Sequence, residues 1–298
     1  MFNNFEEAER FILSQPDKKR IALCCAHDRA ALSAVVDARR KGVAEATLVG
    51  DEDAIRSLLR DLGESEKDYA IVEAGSDLEA SMTAMELVRD GGADIEMKGH
   101  IPSADFLLPI MNPFGGLVEE GSLMSETTAF CYDGRVMFAT DCAMTIAPSL
   151  EQKESLIRNA VDLARAFGFD EVRVAAISAL EKVNPQIPST EDADALSHMD
   201  FGDAVHVTGP FALDNAIDGN CAREKGIDSP VAGKADVLLM PDLCAGNVFH
   251  KCLHYLGHVP SAAVVCGTTK PVVFTSRSDT AQTKYYSILA ALLQAQTS

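Results

Sequence analysis

The stretch RIALCCAHDRAALSAVVDARRKGVAEATLVG, residues 20–50, decides the fold. Arg20–Cys25 is a continuous apolar run and reads as a buried strand. Asp28–Arg40 has helical spacing, and Ala46–Val49 returns to a strand. Strand, helix and strand in this rhythm make a βαβ unit, the element of a mainly parallel sheet.

The same rhythm extends in both directions. Phe5–Leu13 is an amphipathic helix. Glu52–Leu62 and Leu78–Arg89 are helices around a strand at Ala70–Val72, and Ala93–Met97 is a strand leading into Lys98-Gly99. Leu123–Cys131 and Arg135–Ala139 then flank Tyr132-Asp133-Gly134, whose Asp-Gly signals an antiparallel hairpin and a change of domain. A helix follows from Leu150 to Phe167, with Gly168 closing it. Strands are expected at Val172–Ile177, Ala204–Val207, Asp236–Met240, Ala262–Val265 and Val272–Phe274. Helices are expected at Thr190–Met199, Ala245–Leu256 and Ala281–Gln294, and Asp218–Gly233 reads as an irregular surface excursion. The fold class is α/β, in two domains.

Composition narrows the function. The chain has 298 residues, 47% hydrophobic and 24% charged, enough for a sizeable core. A formal charge of −19 argues against binding nucleic acid or anionic lipid, but not against a small anion held by a local cluster. No run is long enough to span a membrane, and the N-terminus lacks signal-peptide features, so a cytoplasmic location is expected. Eight cysteines without a CxxC pair read as reduced thiols.

Polar clusters fall where ligands bind in open α/β sheets, beyond the carboxyl ends of strands. Lys98-Gly99-His100 follows one strand, with Ser103 as the cap of the next helix. Gly209-Pro210, with Asp214 and Asn215, follows another. Asp242, Gly246 and Asn247 open the helix after Asp236–Met240, where amides favour an anion. In PVVFTSRSDTAQTKYYSI, residues 271–288, Arg277 is placed where a strand hands over to a helix N-terminus, a position suited to phosphate or an oxyanion. No GxxxxGK[ST], GxGxxG or GxSxG occurs. His250 and His254 stand at i, i+4, but position 251 is Lys rather than the glutamate of a zinc protease, so no metal is expected.

Several of these segments together resemble the phosphate acetyl/butyryltransferase family. ADVLLMPDLCAGNVFHK (235–251) is similar to its ADVLL-PD block, which ends in Lys251. MKGHIPSADF (97–106) is similar to its lysine-glycine motif. GPFALDNAI (209–217), VNPQIPSTEDADALS (183–197), the segment 138–159 and residues 275–288 resemble the butyryl branch, whereas SPVAGKA (229–235) looks more like the acetyl branch. The resemblance implies an acyltransferase of the EC 2.3.1 class that converts acyl-CoA and phosphate reversibly into acyl phosphate and CoA. It implies two isocitrate/isopropylmalate-dehydrogenase-like α/β domains with a cleft between them, the first comprising residues 1–134 plus 267–298 and the second 135–266. It also implies a homo-oligomer with no cofactor, coenzyme A being a substrate.

On this resemblance Ser276 and Arg277 are the expected catalytic pair: Arg277 on phosphate and the thioester oxygen, Ser276 on the CoA sulfur. Asp279 is the candidate base. Lys98, Gly99, Gly209, Asp214, Asn215, Asp242, Gly246, Asn247 and Lys251 are the expected substrate contacts. Two positions depart from the acetyl branch. Thr283 stands where that branch has an aspartate seven residues beyond the serine, and Leu107-Leu108 where it has an arginine. Both favour the butyryl branch. A metal-dependent hydroxyacid dehydrogenase on a related fold and a CoA or acyl-phosphate binding protein without turnover are the alternatives.

Overall fold

The computed structural model describes residues 1–118 and 120–297. The chain forms two compact units. One is Phe5–Met124 with Ala262–Ser298, and the other is Met1–Asn4 with Ser125–Ser261.

The first unit begins with helix α1 (Phe5–Ser14) and then alternates β1 (Arg20–Cys24), α2 (Arg29–Arg40), β2 (Glu45–Gly50), α3 (Glu52–Asp61), β3 (Ala70–Glu73), α4 (Asp77–Arg89), β4 (Ile95–Lys98) and α5 (Ser103–Ile110). Short polar side chains start these helices. Asp28 accepts from the Ala31 amide at 2.8 Å and Asp51 from the Ala54 amide at 2.9 Å, while Ser76 accepts from the Glu79 amide. Ser103 is the first helical residue of α5 rather than its cap; Pro102 holds that position.

The second unit carries the hairpin β5 (Ser125–Tyr132) and β6 (Arg135–Thr140), antiparallel as its Asp-Gly turn requires. It continues with α6 (Leu150–Ala166), β7 (Val172–Ile177), α7 (Pro188–Ser197), β8 (Val205–Phe211), α8 (Leu213–Ile217), α9 (Gly219–Glu224), β9 (Val237–Leu239) and α10 (Leu243–Lys251). Its strand order is β5-β6-β9-β7-β8. Phe130, Met137, Phe211 and Leu238 fill its core.

Three expectations change here. β8 runs on through Gly209 and Pro210, because it pairs with β7 as far as Phe211. The excursion 218–233 contains α9, capped by Asp218 on the Asn220 amide at 2.7 Å. The α-helix of α10 stops at Lys251, and a wider π turn carries Cys252–Leu256.

The chain then returns to the first unit with β10 (Ser261–Cys266), β11 (Val272–Val273) and α11 (Ala281–Thr297). The strand order there is β3-β2-β1-β4-β11-β10, with β1 to β4 and β11 parallel to their neighbours and β10 antiparallel to β11. Ile288, Leu289 and Leu292 of α11 are fully buried, and the helix packs on α2 through that side chain stripe. The sheet is laid down outward from β1 to β3 and then resumes on the other side of β1 with β4. In open α/β sheets ligands bind beyond the carboxyl ends of the strands at such a switch point.

Two features of β4 are costly. A Cβ on Gly99, just past its end, would lie 2.3 Å from Cys24 O and 2.4 Å from Cys25 O, so only glycine lets this turn close on β1. Glu96 is fully buried and neither carboxyl oxygen has a hydrogen bond. Burial pushes its pKa well above the ordinary glutamate value. The folded state therefore keeps a proton that the unfolded chain has released above pH 4.5 or so, and stability falls as pH rises from there through neutrality.

Glu96→Met, which removes that proton requirement, is expected to raise Tm at pH 8 by on the order of 3 °C or more, and by less at pH 5. Melting curves at the two pH values check this; an equal change at both would mean the carboxyl is not the cause. Gly99→Ala is expected to destabilise the protein by about 1–3 kcal/mol in urea denaturation, since the clash is with backbone.

Candidate functional site

Lys98, Gly99, Ser276, Arg277 and Asp279 of the sequence candidates lie just beyond or at the ends of the adjacent parallel strands β4 and β11 of the first unit. β4 ends in Lys98, whose side chain shares a sheet face with that of Glu96. The ammonium is 3% exposed, and its one hydrogen bond is a long 3.5 Å contact to Gly99 O. The loop after β1 presents His27 and the α2 cap Asp28. The His27 and His100 rings stand 5.4 Å apart, and His27 Nδ1 is buried without a hydrogen bond.

On the other flank, β11 leads into Thr275-Ser276-Arg277-Ser278-Asp279. This segment forms a closed turn just before α11, which begins at Ala281 as the sequence pattern places it. Asp279 Oδ2 accepts from the Ser276 amide at 2.7 Å, and the Asp279 amide donates back to Ser276 O at 3.1 Å. The candidate base is thus occupied on one oxygen in holding the turn. Ser276 Oγ lies 3.0 Å from Ser278 Oγ. Thr280 Oγ1 caps the first turn of α11 through the Thr283 amide at 3.1 Å and lies 3.0 Å from Thr283 Oγ1.

Lys284, one turn into α11, is the residue that sequence reasoning missed. It is 1% exposed, and Nζ donates to Ser276 O at 2.9 Å and Thr275 Oγ1 at 3.1 Å. A signal existed. Lys284, Ile288 and Ala291 share the buried stripe of α11, and a lysine within an apolar stripe marks a special contact.

These cations act on one another. Burial chiefly lowers the Lys98 pKa, and the charges of Lys284 and Arg277 lower it further, while Asp28 and Cys24 oppose them. Burial likewise lowers that of Lys284, against Asp28 and Asp279. Arg277 is exposed and, among the described residues, has no ion pair or hydrogen bond. Three cations thus act on one another at one end of the first unit's sheet, in a chain of net charge −19.

The remaining sequence candidates lie in the second unit, where the structure gives most of them local partners. Gly209 sits within β8, and a Cβ there would meet Ala176 Cβ at 2.8 Å. Asp214 pairs with Lys225 at 3.0 Å, which holds its carboxyl below the usual range, and Asn215 is buried with Nδ2 on Glu181 Oε1 at 2.8 Å. Asp242 caps α10 on the Ala245 amide at 2.9 Å. The Gly246 amide donates to Asp242 O at 3.1 Å, so it is spent within the helix. A Cβ on Gly246 would lie 2.1 Å from Asp141 O. Asn247 Nδ2 donates to Cys142 O at 3.2 Å, and Lys251 Nζ stands 5.9 Å from the centre of the Tyr255 ring. His250 turns inward, with Nδ1 3.0 Å from Thr128 Oγ1.

The model of the family described as phosphate acetyl/butaryl transferase matches residues 65–292. A phosphate butyryltransferase of Clostridium acetobutylicum is 39% identical over 99% of this chain and 99% of its own. A phosphate acetyltransferase of Thermotoga maritima is 37% identical over 91% of this chain and 93% of its own. Among solved structures, a branched-chain phosphotransacylase from Enterococcus faecalis V583 superposes with a TM-score of 0.82 at 26% identity, covering 93% of this chain and 99% of that one. The chain belongs to the phosphate acetyl/butyryltransferase family.

Proposed function

We propose that this protein exchanges a short-chain, butyryl-like acyl group between coenzyme A and inorganic phosphate, by direct attack within a ternary complex. Family membership makes it an acyltransferase that transfers acyl groups reversibly between CoA and phosphate, and it does not favour the dehydrogenase or turnover-free alternatives. The observation that carries the reading is the convergence of Lys98, Arg277 and Lys284 beside Ser276.

Phosphate is strongly hydrated and a poor nucleophile in water. A site that replaces its water with a guanidinium fork and fixed ammonium groups holds it near the thioester carbon. One phosphate oxygen attacks that carbon, the carbonyl oxygen gains negative charge beside Arg277, and the carbon–sulfur bond breaks as Ser276 donates to the departing sulfur. No protein nucleophile enters. Consistent with this, burial raises the Cys142 thiol pKa well above its ordinary value, which keeps that group protonated.

Thr283, whose hydroxyl is paired with Thr280, supports the butyryl rather than the acetyl branch, as does exposed Leu108. Two isocitrate/isopropylmalate-dehydrogenase-like domains, a homo-oligomer and a cytoplasmic location belong to the same proposal. No helix among the described residues is long and apolar enough to cross a membrane.

Phosphate-dependent release of CoA from acetyl-, propionyl-, butyryl- and branched acyl-CoA tests the activity. Release is expected to be fastest with a four- or five-carbon acyl group, and absence of release from all of them would overturn the reading. Arg277→Ala is expected to lower kcat/KM by about 10²-fold or more. Lys284→Met, measured in the same assay, is expected to raise KM for phosphate by roughly tenfold, because it removes a charge and loosens the Ser276 turn.

A further inference from the structure

The two buried lysines of the site are not equivalent. Lys284 is tied to Ser276 O and Thr275 Oγ1, and Asp28 and Asp279 favour its charged form. Lys98 has only the 3.5 Å contact to Gly99 O, and among the described residues no carboxylate lies within ion-pair distance of it. The charged groups that act on it are Lys284 and Arg277, which drive its proton off, and Asp28, which retains it.

The reaction needs a proton carrier. Acyl phosphate plus CoA thiol gives thioester plus hydrogen phosphate, so the proton lost by sulfur ends on the departing phosphate oxygen. The side chains near Ser276 offer few groups for that transfer. Thr283 is not a base, and buried Asp279 is held in the turn by the Ser276 amide on Oδ2, which leaves only its Oδ1 without a partner. A phosphoryl dianion would be matched by the two charges of Arg277 and Lys284; Lys98 is a third cation, at the end of β4, which pairs in parallel through Met97 with Val273 of the strand that leads into Ser276 and Arg277.

Building on the acyltransferase reading, we propose that Lys98 carries this proton. As the free amine it takes the thiol proton, and the thiolate then forms the carbon–sulfur bond. As the carbon–oxygen bond to phosphate breaks, the ammonium returns the proton to the released oxygen. In the opposite direction, attacking hydrogen phosphate gives its proton to Lys98, which passes it to the departing sulfur. The amine is regenerated in each cycle, and no oxidant or further reactant enters. Lowering of the Lys98 pKa by burial and by two neighbouring cations makes the free amine accessible.

The test is steady-state kinetics with butyryl phosphate and CoA, from about pH 6 to about pH 10, for wild type, Lys98→Arg and Lys98→Ala, with circular dichroism melts to confirm folding. Arginine keeps the charge but does not release its proton at these pH values. Lys98→Arg is expected to keep KM for butyryl phosphate within about threefold, to lose about 10²-fold or more in kcat, and to lose the rise of kcat with pH shown by wild type. Folded Lys98→Ala is expected to regain turnover with added primary amines, faster with more basic ones. An active wild type beside a Lys98→Arg variant within tenfold of its kcat, or a folded Lys98→Ala that amines do not rescue, overturns the proton role alone. A wild type with no turnover overturns the acyltransferase reading and this inference with it.

Discussion

The main chain of Ser276 is the point on which the site depends. Its N–H is taken by Asp279 Oδ2 and its carbonyl by Lys284 Nζ, so a carboxylate and an ammonium grip the two ends of one residue. That grip closes a turn after a strand of only two hydrogen-bonded residues and fixes where Arg277 leaves the backbone. Charge-assisted hydrogen bonds of this kind are stronger than neutral ones, and those made by buried groups are screened little by solvent. The turn is therefore rigid at Ser276 while Arg277 next to it reaches solvent.

Around this turn the fold concentrates positive charge. Burying an ammonium costs free energy unless partners replace its water. Lys284 has such partners and Lys98 nearly lacks them. The same asymmetry gives two residues of one type different roles, one that fixes structure and charge and one whose proton is loosely held, a pattern found where paired titratable groups divide a chemical task.

The second unit makes a contrasting use of its polar groups. Asp242, Asp214, Asn215 and Asn247 are engaged by amides, lysine, glutamate or carbonyl oxygens of their own surroundings. Gly209 within β8 and Gly246 within α10 are approached so closely by neighbouring atoms that a side chain would not fit at either.

Much of the fold was legible in the sequence, because strands and helices differ in the period at which apolar residues recur. Residues 20–50 give β1, α2 and β2 within a residue or two at each end, and the Asp133-Gly134 hairpin follows from turn chemistry alone. Arg277 stood out as a cation at a strand end in an acidic chain, whereas Ser276 and Lys98 were singled out as site candidates through the family motifs. The extension of β8 through Gly209 and Pro210 was hidden, because pairing with β7 overrides the turn preference of Gly-Pro. Lys284 was hidden for a related reason: it lies on the buried stripe of a helix, and which residue that stripe meets depends on how α11 packs. Local period and turn chemistry are properties of neighbours in the chain, so the sequence by itself determined the elements and the presence of the candidate cations. Their convergence was decided by the tertiary structure, which brings residues almost two hundred positions apart to one strand end, where burial and mutual repulsion set which of them holds its proton.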